Sequence, residues 1–159
     1  MILPENLHYA AADKSVFGSI LLENGLSADL IATSVKVLDE LTLKKFWNLN
    51  FGNDGKKRRI PEDFWMFRCK RRSERCYWIE ELKLGGFGRV ADCLRTQFNR
   101  SEDTEMCFFG GIEIVLVRWK YFTKYWNSFV EFNDEGLLVE ISQQSGVIVS
   151  PNGYFAAVE

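Results

Sequence analysis

Ile112-Glu113-Ile114-Val115-Leu116-Val117 is the stretch on which the fold turns. Ile112, Ile114 and Leu116 alternate with Glu113, Val115 and Val117, so apolar side chains fall on both sides of an extended segment. Such a strand needs cover on both faces or nearly so. Downstream the chain reads as a meander. Its parts are a strand from Phe129 to Phe132, a turn at Asn133-Asp134-Glu135-Gly136, a strand from Leu137 to Ile141, a turn over Gln143 to Gly146, and a strand from Val147 to Val149. Upstream, Phe64 to Lys70 and Arg75 to Leu82 are rich in aromatics and flank Arg71-Arg72-Ser73-Glu74. They read as a hairpin that would pair Cys69 with Cys76 and Phe67 with Trp78.

Helical spacing appears in three places. Val16, Phe17, Ile20 and Leu21 run into Asn24-Gly25, a left-handed stop. Ser27 is a good N-cap for a second helix, whose stripe of Leu30, Ile31, Val35, Leu38 and Leu41 ends near Thr42. Leu84-Gly85-Gly86-Phe87-Gly88 breaks the chain before a short helix from about Arg89 to Asn99, carrying Val90, Leu94 and Phe98. Two or three helices with about six or seven mostly antiparallel strands, in two packed sheets, make an α+β fold. The chain has 159 residues and is 47% hydrophobic, so residues 1–159 form one domain that buries roughly 68–70% of its unfolded surface.

The expected chemistry is binding rather than catalysis. The single histidine, His8, lies near an N-terminus expected to fray, which leaves a Ser-His-Asp or Cys-His arrangement without a held base. Glu80 with Glu81 and Asp134 with Glu135 are the nearest approach to a carboxylate pair, but adjacent acids on a strand face apart and acids in a turn are solvated. Cys69, Cys76, Cys93 and Cys107 lack the tight spacing of structural zinc ligands and read as free thiols in a reducing cytoplasm. Gly85, Gly86 and Gly88 could offer amides to a phosphate, although a plain turn before a helix is preferred. No cofactor and no metal is expected. No apolar run approaches about 18 residues, so no membrane span is expected.

Charge is segregated. Lys56 to Arg75 holds nine cations against three acids, a formal +6, while the whole chain carries −2. Phe64, Trp65, Phe67, Tyr77 and Trp78 interleave there with Arg68, Lys70, Arg71, Arg72 and Arg75, the chemistry of a single-stranded nucleic-acid groove. A sequence pI near 5.6 speaks against that reading of residues 56–82, and rings in the core with solvated cations on an edge strand are preferred. Glu102, Asp103, Glu105, Asp134 and Glu135 fall in expected loops and could together occupy a basic cleft, with carboxylates standing in for phosphates. Trp126, in the aromatic run from Trp119 to Phe132, is the candidate apolar anchor.

The hairpin FWMFRCKRRSERCYWIEEL, the acidic RSEDTEM, the strand GIEIVLVRW and the terminal FVEFNDEGLLVEISQQSGVIV together resemble the immunity proteins of bacterial contact-dependent growth inhibition, in particular those paired with EndoU-like nuclease toxins. The resemblance spans most of the chain and carries no short signature motif. It implies a non-catalytic cytoplasmic protein that binds the toxin domain of a large secreted effector and blocks it. On that basis the acidic loops and Trp126 are the expected toxin-binding residues, and nucleic acid is not the expected partner.

Overall fold

A computed structural model describes residues 1–52, 60–69 and 73–159. Lys56, Lys57, Arg58, Arg59, Lys70, Arg71 and Arg72, together with the turn expected at Arg71 to Glu74 as far as residue 72, lie outside the described residues.

The expected strand is β4, Glu113–Arg118, and it lies inside a single sheet. The other strands are β1 (Val35–Val37), β2 (Cys76–Tyr77), β3 (Glu105–Gly110), β5 (Leu137–Glu140), β6 (Gly146–Ser150) and β7 (Tyr154–Val158). Their order is β1-β4-β3-β5-β6-β7-β2, and every neighbouring pair is antiparallel. The two packed sheets expected from the sequence are therefore one. What covers its faces is helix: α1 (Val16–Glu23), α2 (Ala28–Ser34), α3 (Glu40–Phe51), α4 (Trp65–Arg68), α5 (Ile79–Leu84), α6 (Gly88–Gln97), α7 (Trp119–Lys124) and α8 (Trp126–Phe132). Eight α-helices among the described residues replace the two or three expected, and the class remains α+β.

Alternation along β3 sorts the core into two layers. Met106 and Phe108 point into one cluster with Phe17, Leu94, Phe122, Phe129 and Phe155, while Cys107 and Phe109 point into the other with Phe46, Trp47 and Met66. Helices α1, α6, α7 and α8 thus lie over one face and α3 with α4 over the opposite one. Both faces being covered, the strands read as near-continuous apolar runs.

Several sequence expectations fail for identifiable reasons. The second helix stops at Ser34, because Val35-Lys36-Val37 peels off to pair with Val117-Leu116-Val115 at the sheet edge. Leu38 is buried beyond it, Leu41 is solvent-exposed, and Asp39 starts a new helix by accepting the Thr42 N–H at 2.8 Å. The aromatic hairpin does not form. Trp65–Arg68 is a helical turn, and Cys76-Tyr77 pairs instead with Phe155-Tyr154 of the C-terminal strand, whose apolar run offers a better partner. Phe129 to Phe132 is helical, not a strand.

The N-terminus is tied down rather than frayed. Tyr9 bridges Leu38, the Asp39 N–H donates to the His8 carbonyl at 3.1 Å, and the Met1 ammonium donates to the Ile141 carbonyl at 3.3 Å. The helix that stops at Asn24-Gly25 and the one near Arg89 to Asn99 occur as expected, with Gly25 at φ 85°.

Candidate interaction surfaces

Strand β3 runs from Glu105, which pairs with Arg118, to Gly110, and β5 begins at Leu137 opposite Phe109. The acids singled out in the sequence therefore divide between the two ends of one strand, with about 13 Å of strand from Glu105 to Phe109. Glu102, Asp103 and Glu105 stand at one end, Asp134 and Glu135 at the other, and all five are exposed.

Asp103 differs from the rest because its carboxylate is paired with cations of the same chain. It accepts from Lys120 Nζ at 2.7 Å and faces Arg118 Nη1 at 3.5 Å. The Lys120 hydrogen bond is the main cause that lowers its carboxyl below the usual range. The carboxylates of Glu102, Glu105, Asp134 and Glu135 make no hydrogen bond or ion pair among the described residues. Trp126 is not a surface anchor. It is fully buried, its Nε1–H donates to the Phe87 carbonyl at 3.0 Å, and its ring meets Phe87 edge-on at 5.8 Å.

The Asp134 end borders a groove of about 660 Å3 lined by Asn24, Trp78, Leu82, Phe87, Asn127, Val130, Glu131, Phe132, Asn133 and Asp134. Helix α5 forms one wall and no residue of it is buried. It is fixed by other means. The Trp78 N–H donates to the carbonyl of Gly153, whose φ of 85° closes the β6–β7 turn, at 2.8 Å. Both Glu81 carboxylate oxygens accept from the first amides of α6, Arg89 at 2.8 Å and Val90 at 2.7 Å. Those amides are the ones a phosphate would need, so the glycine-rich turn is an internally capped helix start.

Cys76 and Cys93 form a disulfide that joins β2 to α6, contrary to the expectation of four free thiols. The cause is topological: β2 takes the sheet edge beside α6, which sets the two Cα atoms 5.7 Å apart. Cys69 is free and half-buried; Cys107 is free and fully buried, and burial pushes its thiol well above the ordinary range.

The described part of the basic window is mostly structural. Trp78 and Met66 are buried, Phe64 packs on Phe51, Trp65 and Phe109, and Arg75 lies over the Tyr154 ring at 5.1 Å. Phe67 and Arg68 are exposed at the end of α4, and Tyr77 is exposed on β2. His8 is exposed at the N-terminal bridge. Among the described residues no group of three His, Cys, Asp or Glu could hold a metal ion, and no helix is long and apolar enough to cross a membrane.

A family model described as "Protein of unknown function (DUF2947)" matches residues 23–157. No curated protein and no solved structure matches the chain.

Proposed function

The chain belongs to the DUF2947 family, and since membership brings no activity with it, we propose from the sequence pattern and the surface that it is an immunity protein. It binds the toxin domain of a contact-dependent growth inhibition effector in the cytoplasm and covers that domain's active site, the toxin being an RNA-cleaving nuclease. The observation that carries this reading is the set of exposed carboxylates, Glu102, Glu105, Asp134 and Glu135, left without an internal ion pair among the described residues. An RNA-cleaving cleft presents cations to phosphate, and opposed carboxylates give an inhibitor both encounter rate and specificity against such a cleft. Single-stranded nucleic acid is the weaker partner, because of the five rings it would stack on Trp78 is buried, Phe64 packs on Phe51 and on Trp65, and the exposed Phe67 and Tyr77 stand on different elements.

Coexpression with the toxin domain encoded immediately upstream tests the reading. The expected result is a stoichiometric complex and protection of cellular RNA. Failure of the two chains to copurify, or oligonucleotide binding by the isolated chain at low micromolar concentration, overturns it.

A further inference from the structure

Helix α5 is apolar on the outside. Ile79, Leu82 and Leu84 are exposed, Leu84 by 83%, and Phe87 just beyond the helix is exposed by 41%. A surface helix ordinarily turns its apolar stripe to the core. This one is fastened through backbone hydrogen bonds and the Glu81 cap, and Ile79 packs on Gly153, which leaves Leu84 in solvent and more than a third of Leu82 and Phe87 open. Across the groove, the end of α8 contributes Val130, and among the described residues the only charged side chains lining the cavity are Glu131 and Asp134. Lys83 stands on α5 itself and Arg89 on α6, but neither lines it.

We propose that the groove between α5 and α8 docks a cationic amphipathic segment of a protein partner, seating an apolar side chain on Leu82 and Phe87 and a Lys or Arg against Asp134 and Glu131. The proposal rests on the protein-binding reading above and names where the partner is held. Charge complementarity selects this occupant. A Lys or Arg can lay its methylene stem along the apolar wall and still reach a carboxylate, which an acidic or neutral segment cannot do. Nucleic acid would bring phosphate to Asp134 and Glu131. A symmetric second copy would set the same acids against one another, with nothing in the groove to neutralise them. Phe87 is already held by its contacts with Trp126, so its ordering cost falls on folding rather than on binding.

The probe is a capped Leu/Lys peptide of about twelve residues in helical register, titrated into the isotope-labelled chain, with a Leu/Glu peptide of the same pattern as control. Saturable amide shifts at α5, Phe87 to Arg89 and Val130 to Glu135 are expected, with at least about tenfold weaker binding to Asp134→Lys and to Leu82→Glu. Both substitutions are at exposed or half-exposed positions, and the dispersed amide spectrum of each variant checks its fold. Shifts confined to the Glu102 to Glu105 end, or equal binding of the Leu/Glu peptide, overturn the groove. Peptide binding here without copurification of the upstream toxin overturns the immunity reading and leaves the groove standing. Copurification that survives Asp134→Lys and Leu82→Glu unweakened does the reverse.

Discussion

Asp39 shows how one side chain sets a chain path. Its Oδ1 accepts the Thr42 N–H at 2.8 Å, which starts α3 and ends the second helix's claim on Leu38 and Leu41. That hydrogen bond is the largest cause holding the Asp39 carboxyl below its usual range. A carboxyl whose folded value is depressed contributes stability above its unfolded value near 3.9 and loses it as pH falls through the lower folded value. Asp39→Ala is therefore expected to cost about 1 kcal/mol at neutral pH, with the gap to the parent chain closing in acid, as read from urea midpoints across pH. Arg100 and Glu140 are a different case. They meet at 2.6 Å with side chains 8% and 6% exposed, and Ser145 Oγ donates to the same carboxylate at 2.7 Å. Arg100→Ala strands that carboxylate and is expected to cost about 3–5 kcal/mol, whereas Arg100→Met with Glu140→Leu recovers most of the loss. Equal destabilisation by the single and double variants would show that the packing of Arg100 against Trp119, at 5.7 Å, matters more than its charge.

The Cys76–Cys93 disulfide ties edge strand β2 to α6 across 17 residues of sequence. Cross-linking a loop of that length contributes about 3 kcal/mol, so the oxidised chain should show two titratable thiols when denatured and a clearly lower Tm once reduced. Four titratable thiols after air oxidation would contradict the pairing. A reducing cytoplasm keeps such pairs open, so the working stability there is that of the reduced form. The pairing was invisible in the sequence because it depends on β2 leaving its neighbour for β7, a choice made by the apolar run Tyr154 to Val158 at the far end of the chain. Local signals were readable: Asn24-Gly25 as a stop, Ser27 as a cap, and Glu113 to Val117 as a strand covered on both faces, although Ile112 falls in the preceding turn and is exposed. The helices α7 and α8 escape the sequence reading, which puts a strand at Phe129 to Phe132, because their aromatic content favours strands and masks the helical spacing of Trp119, Phe122, Trp126 and Phe129. Of the candidate site, exposure of the five acids followed from composition. Their separation to opposite ends of β3, the burial of Trp126 and the groove beside Asp134 came only with the sheet order.

At the scale of the molecule, the proposed immunity reading turns on which end of β3 would meet a basic partner. Asp103 is neutralised by Lys120 and Arg118, so the Glu102 to Glu105 end projects a weaker field than its composition suggests. Asp134 lines the groove that holds the exposed Leu82 and Phe87, which combines steering with an anchor once contact is made, and Glu135 follows it in the chain. On the proposed immunity reading, Asp134→Lys with Glu135→Lys is expected to slow association with the toxin domain at low ionic strength by at least about tenfold, and Glu102→Lys with Glu105→Lys by less. Both defects should shrink as salt rises, because the Debye length falls from about 10 Å at 0.1 M to about 3 Å at 1 M. The dissociation rate should respond instead to Leu82→Glu, which removes the apolar seat without changing the encounter field as strongly. Stopped-flow kinetics separates the two effects. Association unchanged in both double variants at low salt would refute electrostatic docking altogether. A larger effect at Glu102 and Glu105 would move the interface to the opposite end of β3, where the Lys36, Tyr9 and Arg118 side chains border Glu105.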